Sequence, residues 1–267
     1  MFLRVVVFYL TTMLFSGVLN AVQAGTGPSP DLIQLVQFAP ALAVGVMFLL
    51  FRRTTPVQAR FTPPALVAGR SALIVAIVVA TMLASIGVHV VAGHPIHGWW
   101  SDGLHFPFWA LVLTMTVGAA GEELGWRAYL QPYLQTRFSV LRSSLIVGLL
   151  WGFWHIGGFE HGLVYMGLFV VMAVAISVVI GAVLQIAGGA NLAVATAAHA
   201  AINLGLLLLF DEENGDKFAL GTLAAVWVVA ATVTQRLVRP AAVSWGGPPR
   251  PNAWASGTGR GGGEVRL

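Results

Sequence analysis

Six polar and ionisable residues stand within or at the ends of long apolar stretches of this 267-residue chain. In chain order they are Glu122, Glu123, Arg127, His155, His199 and Asn203. A carboxylate and an imidazole can together activate a water molecule, and an imidazole and an amide can stabilise an oxyanion. The carboxylate and imidazoles could instead hold Zn²⁺ with one open position. These residue types therefore point to hydrolytic chemistry.

The first group is Glu122 and Glu123 with Arg127, at the end of an apolar segment. On a helix, Glu123 and Arg127 are four residues apart and can form an ion pair. Glu122 lies about 100° around the helix from Glu123 and can point elsewhere. One carboxylate is then tied to arginine while the other faces a cavity. The alternative is that this group is only the hydrated end of a helix.

The second group, Trp151-Gly152-Phe153-Trp154-His155, lies deep in the next apolar segment, and the third is His199 with Asn203. His199 and Asn203 are one helical turn apart, so both side chains face one direction. Each group alone has a structural explanation, because polar side chains also join membrane helices, at about 0.6 kcal/mol on average. Ionisable groups inside a membrane are nonetheless expensive to bury, so three such groups together predict a functional pocket.

The composition requires a membrane setting for these residues. The chain is 57% hydrophobic and 9% charged, whereas soluble domains carry about 25% charged residues. It has no cysteine, which excludes disulfides, thiol nucleophiles and thiolate metal sites. The net charge of +4 comes mainly from arginines at the ends of apolar segments. This arrangement encodes membrane orientation and does not indicate nucleic-acid binding.

Charges and turn residues divide the chain into apolar segments about as long as a transmembrane helix. We predict an all-α polytopic transmembrane bundle of about eight helices, with the active site buried in the membrane. Gly188-Gly189-Ala190-Asn191 separates two spans in a stretch without charge. The predicted spans are 5–24, 32–51, 71–93, 106–121 continuing into the 120s, 143–159, 163–187, 190–210 and 218–236.

The arginines predict the orientation of the bundle. With Arg4 inside, the arginine-rich loops all fall on the cytoplasmic side, and both termini are cytoplasmic. Residues 1–24 end in Val22-Gln23-Ala24, which resembles a signal-peptidase site, but we favour a retained helix. We predict a transmembrane domain over 1–239 and a disordered Gly/Pro-rich cytoplasmic tail over 240–267. The use of Arg over Lys and the abundance of Ala, Val and Gly suggest a GC-rich bacterial source. We therefore predict that the protein lies in a bacterial cell membrane.

The ordered motifs resemble those of a known family. Glu122-Glu123-x-x-x-Arg127, then His155, then His199-x-x-x-Asn203, are similar to the CPBP family. That group of intramembrane proteases contains the type II CAAX prenyl endopeptidase and bacterial Abi-type proteins. The resemblance covers about residues 105–210.

The resemblance implies roles for four residues and for their neighbours. Glu122 and His155 would activate the attacking water, and His199 and Asn203 would stabilise the tetrahedral oxyanion. The implied substrate is a membrane-associated peptide or protein in the lipid bilayer, with no nucleic-acid partner. The GC-rich, bacterial character of the sequence argues against prenylated CAAX substrates.

Three further residues would support the site. They are Glu123, Arg127 and Trp151. The family usually has phenylalanine at the position of Trp151, four residues before the histidine. Because the side chain at this position is still aromatic, we expect the change from phenylalanine to Trp151 to affect how the substrate fits more than how the peptide bond is hydrolysed.

The cofactor is left open by the sequence. The family is often labelled as metalloproteases, and a zinc ion would take Glu122, His155 and His199 as ligands. The soluble zinc-protease signature His-Glu-x-x-His is absent. Neutral amides such as that of Asn203 are not among the usual zinc ligands, so we favour a metal-independent mechanism.

The alternative function is non-catalytic. The same buried polar network could serve a membrane binding or immunity factor, or a small transporter. A transporter would need its ionisable residues for flux, whereas a binding factor would tolerate their loss. Only a protease would lose peptide cleavage, and remain folded, when Glu122 is changed.

Overall fold

The computed structural model describes residues 1–27, 29–30, 32–51, 64–96, 105–187, 192–210 and 215–238. These residues form helices and contain no strand, which confirms the predicted all-α class. Each of the eight predicted apolar segments contains one α-helix of 12 residues or more, and the five-residue α5 is additional. The helices are α1 (Phe2–Thr26), α2 (Ala39–Leu50), α3 (Pro64–Ala92), α4 (Phe108–Gly125), α5 (Gln131–Gln135), α6 (Val140–Trp154), α7 (Leu163–Ile186), α8 (Leu192–Leu209) and α9 (Lys217–Leu237).

Three shorter helical segments lie beside these helices. A 3₁₀ helix, Leu35–Phe38, leads into α2. A buried π-helical turn, Trp126–Leu130, joins α4 to α5, and such turns are frequent at functional sites. A second 3₁₀ helix, Ile156–His161, follows α6. The predicted glycine turn at 188–191 and the predicted tail at 240–267 lie outside the described residues.

Within the described residues, five helices are long and apolar enough, by length and composition, to cross a membrane, namely α1, α3, α7, α8 and α9. The other predicted spans contain shorter or less apolar helices, since α2 has 12 residues, α6 has 15 and α4 has 18. That all eight segments cross the membrane stays a prediction. The fifth predicted span, 143–159, ends early because the backbone leaves the helix at His155. The predicted orientation stays a prediction.

The buried helix α7 organises the bundle by packing against α6 and α9. The helix α8 packs against α3 and α4, and α4 packs against α2. The helix α1 is joined to the core through Phe8, which is fully buried and lies edge-on against Trp126. Its Ser16 accepts a hydrogen bond from Trp154 Nε1 at 2.7 Å. This packing brings the polar parts of α4, α6 and α8 to one region.

Close contact between α6 and α7 sets the position of the polar residues on α6. A Cβ atom added to Gly148 would lie 2.6 Å from Val174 Cα, and one added to Gly152 would lie 3.1 Å from Val170 Cα. Two helices approach so closely only where one has no side chain, a common device in membrane bundles. The glycines therefore fix the distance of α6 from α7.

Gly148→Ala should lower the stability of the bundle by about 1–3 kcal/mol, because the added methyl group meets backbone that cannot move aside. Thermal unfolding in detergent would measure this as a lower melting temperature. Gly167→Ala on α7 is the matched control, since its Cβ would meet nothing within 4 Å. Equal melting temperatures for the two variants would contradict the close α6–α7 contact.

Candidate active site

Glu122, buried at the end of α4, receives hydrogen bonds on both carboxylate oxygens. Trp151 Nε1 on α6 donates to Oε2 at 2.9 Å. Gln37 Nε2, on the 3₁₀ helix before α2, donates to Oε1 at 3.3 Å. Both donors are neutral. The carboxylate is therefore held from two sides by elements that are distant in the sequence.

Glu123 faces a different set of partners. Arg127 Nη1 donates to Glu123 Oε1 at 2.7 Å, and both side chains are almost completely buried. His199 Nδ1 on α8 lies 2.8 Å from the same oxygen. The i,i+4 pair predicted from the sequence is thus present, and His199 extends it into a three-residue network. Hydrogen bonds between ionised groups are about twice as strong as neutral ones, so this network is rigid.

The contact with Glu123 also sets the protonation of His199. A carboxylate can only accept a hydrogen bond, so Nδ1 carries a proton, and Nε2 faces the neighbouring carboxylate. His199 Nε2 lies 3.9 Å from Glu122 Oε1, which is too long for a direct hydrogen bond. One imidazole therefore lies between the two glutamates and is bonded to only one of them.

His155 is oriented by the end of α6. The last carbonyl groups of a helix lack backbone partners. Here the His155 backbone N–H turns to Gly152 O, and the Trp151 carbonyl accepts from His155 Nδ1 at 2.8 Å. A carbonyl oxygen can only accept, so Nδ1 again carries the proton and Nε2 is the nitrogen that can take another.

Trp151 connects the three predicted groups. Its ring lies edge-on to His155 and to His199, with centroid distances of 5.7 and 5.1 Å. The Arg127 guanidinium lies 4.4 Å from the ring centroid, a cation–π contact. The indole also donates to Glu122, which the phenylalanine usual in the family could not do. Trp151 therefore contributes both aromatic packing contacts and a hydrogen-bond donor to the site.

Asn203 lies one turn beyond His199 on α8 and is partly exposed, unlike the almost fully buried His199. The structure thus places Glu122, His199 and Trp151 in direct contact or close to it, with His155 adjoining through Trp151. Their catalytic roles stay predictions. Sequence reasoning missed Gln37, whose only signal is an amide in an uncharged stretch, and it missed the contact between Glu123 and His199.

The two histidines each keep one ring nitrogen available for a proton or a metal ion. Nδ1 of His155 and of His199 is engaged by a carbonyl and by a carboxylate, and metal-binding histidines commonly have such partners on the other nitrogen. In the described part of the chain, no three His, Asp or Glu side chains form a group that could bind a metal ion. Both the zinc site of Glu122, His155 and His199 and the metal-independent mechanism stay predictions.

The described chain is therefore an all-α membrane bundle with a buried carboxylate–imidazole network. Residues 104–205 match the family model described as type II CAAX prenyl endopeptidase Rce1-like. The resemblance to the CPBP family, predicted from three short motifs, is confirmed by this match.

Curated relatives are named lysostaphin resistance protein A. The Staphylococcus epidermidis protein is 28% identical over 227 residues, covering 83% of this chain and 58% of its own length. The Staphylococcus haemolyticus protein is 26% identical over 83% of this chain and 61% of its own length. The Staphylococcus aureus protein is 24% identical over 86% and 55%. The chain therefore spans somewhat more than half the length of the curated relatives it matches.

Arg127→Ala should reduce the amount of folded protein as well as any activity. Removing one partner of a deeply buried ion pair leaves the other charge uncompensated and costs about 3–5 kcal/mol. Yield and melting temperature in detergent would measure the loss. Arg142→Ala is the matched control, since Arg142 is exposed on α6. A normal melting temperature for Arg127→Ala would show that the pair is hydrated and does not hold the site together.

Proposed function

We propose that this chain is an intramembrane endopeptidase that hydrolyses peptide bonds of membrane-associated substrates with water activated by Glu122 and His155. The observation that carries the proposal is the division of partners between adjacent glutamates. Glu123 bonds to Arg127 and to His199 Nδ1, and Glu122 accepts hydrogen bonds from two neutral donors, with His199 Nε2 3.9 Å away. A carboxylate held in this way can take a proton from water as a general base.

In the proposed reaction, Glu122 accepts a proton from water while the water oxygen bonds to the carbonyl carbon of the substrate. The carbonyl becomes a tetrahedral oxyanion. The C–N bond then breaks as a proton passes to the leaving nitrogen, which gives a carboxylate and an amine. His155 assists through Nε2, because its Nδ1–H is held by the Trp151 carbonyl. Glu122 and His155 thus share the proton transfers.

The oxyanion would be stabilised by His199 and Asn203. His199 donates its Nδ1–H to Glu123. When the ring is a protonated imidazolium, Nε2 also carries a proton and can donate it to the oxyanion. Glu123 then balances the positive charge of the ring. Asn203 supplies a neutral N–H one helical turn away. Such preorganised donors are usually among the largest contributions to catalysis of acyl transfer.

The second candidate is a non-catalytic resistance or immunity factor. The relatives are named for resistance to lysostaphin, and that name specifies no peptidase activity. A small transporter using the same network is the third candidate. We further propose that the chain resides in a bacterial cell membrane with both termini in the cytoplasm.

Glu122→Gln should abolish cleavage with little loss of folding, because the amide fills the same volume and cannot accept a proton from water. Purified protein in liposomes would be supplied with a pooled set of synthetic membrane-spanning peptides. New peptide termini would be counted by mass spectrometry. Glu160→Gln, at an exposed glutamate, is the matched control and should cleave like the wild type.

Two outcomes would contradict this proposal. Activity of Glu122→Gln within tenfold of the wild type would remove Glu122 from the role of base. Absence of cleavage by the folded wild type across the peptide set, together with resistance conferred on cells by Glu122→Gln, would favour the non-catalytic factor.

Asn203→Ala should slow turnover by about 10²–10³, as loss of one oxyanion donor does. Asn20→Ala, at an exposed position of α1, is the matched control.

Chelator treatment should leave the activity of the wild type unchanged. One zinc per chain by elemental analysis, lost together with activity in the His155→Ala protein, would overturn the metal-independent mechanism.

A further inference from the structure

Gln37 lies outside the part of the chain that matches the family model, yet it touches the proposed base. It belongs to the 3₁₀ helix Leu35–Phe38, and the match covers only residues 104–205. Its side chain donates a hydrogen bond to Oε1 of Glu122, which lies 85 positions further along the sequence. None of the three motifs contains this residue.

The orientation of the Gln37 amide follows from its two neighbours. A carboxylate can only accept, so the NH₂ group faces Glu122 and the amide oxygen faces away. That oxygen lies over Gly118, where a Cβ atom would overlap it. A Cβ at Gly121 would lie 3.0 Å from the Gln37 carbonyl oxygen. The missing side chains on α4 therefore make the room in which Gln37 reaches Glu122.

The contact complements that of Trp151. Gln37 donates to Oε1 and Trp151 donates to Oε2, so the two together fix the plane of the carboxylate. Oε1 is also the oxygen that lies 3.9 Å from His199 Nε2. Gln37 thus holds the carboxylate oxygen that faces the proposed oxyanion donor, and as a neutral donor it does so without forming an ion pair.

We propose that Gln37 is a positioning residue for Glu122, which holds the carboxylate toward the water that it activates. This inference rests on the proposed endopeptidase function. A misplacement of about 1 Å in a catalytic group can cost about 100-fold in rate. Loss of the Gln37 contact acts on the orientation of the base and leaves the substrate contacts intact.

The test compares Gln37→Leu with the wild type in liposomes, using the peptide that the wild type cleaves fastest in the pooled set. Gln37→Leu removes the donor and leaves an apolar side chain that is one atom shorter. We expect kcat to fall about 10- to 100-fold, with KM within twofold and an unchanged melting temperature. Gln34→Leu is the matched control, because Gln34 is exposed and only three positions away, and its kcat should equal that of the wild type.

Gly118→Ala tests the same contact without changing either polar residue, since the new methyl group displaces the Gln37 amide. It should lower kcat to a similar extent, and the Gln37→Leu/Gly118→Ala double variant should be no slower than the slower single variant. Gly45→Ala, whose Cβ meets nothing within 4 Å, is the control. Multiplicative losses in the double variant would mean that the two changes act independently, which would overturn the proposal.

The outcomes separate this inference from the proposed function. If Glu122→Gln is inactive and Gln37→Leu turns over within twofold of the wild type, the endopeptidase stands and the positioning role fails. If kcat falls only in proportion to a lower melting temperature, Gln37 is a packing residue and the proposal is overturned. If Glu122→Gln retains cleavage, the proposed function itself fails.

Discussion

The site depends on how the chain compensates two adjacent carboxylates buried in an apolar bundle. An ionised carboxylate removed from water must be paired or hydrogen-bonded. Glu123 takes the cationic partner Arg127 and the imidazole of His199, and Glu122 takes two neutral N–H groups. Because the arginine is engaged by one glutamate, the other is stabilised without being neutralised. A single buried glutamate could not both engage the arginine and remain free of an ion pair.

This compensation in turn requires close packing of backbones. Neutral donors reach Glu122 from the 3₁₀ helix before α2 and from α6. Gly118 and Gly121 on α4 admit Gln37, and Gly148 and Gly152 on α6 allow that helix to lie against α7. In lipid there is no hydrophobic force to press helices together, so small residues that allow close contact do much of this work. The polar network and the glycine contacts are therefore parts of one arrangement.

Much of the fold was predictable, because apolar segments and helix-breaking residues are local signals. All eight predicted segments contain a helix, and the Glu123–Arg127 pair follows from helical periodicity alone. The early end of α6 was missed, although the nearby Gly157-Gly158 pair is a local turn signal. Gln37 was missed for a different reason: its contact with Glu122 is set by tertiary packing, and nothing near Gln37 in the sequence announces it. Local patterns identified the charged residues and Trp151, and only the fold identifies Gln37 and the contacts that orient Glu122.

At the end of α6, Trp151 orients both members of the proposed proton-transfer pair, His155 and Glu122. At His155 the backbone N–H turns to Gly152, so the Trp151 carbonyl is left to the histidine side chain. The same Trp151 sends its indole N–H to Glu122. The carbonyl of Trp151 thus fixes which nitrogen of His155 is basic, and its indole fixes how Glu122 is turned. If α6 continued as a helix through His155, that carbonyl would bond to backbone and the imidazole would lose its orienting partner. The early end of α6 is therefore what sets the geometry of the proposed water-activating pair.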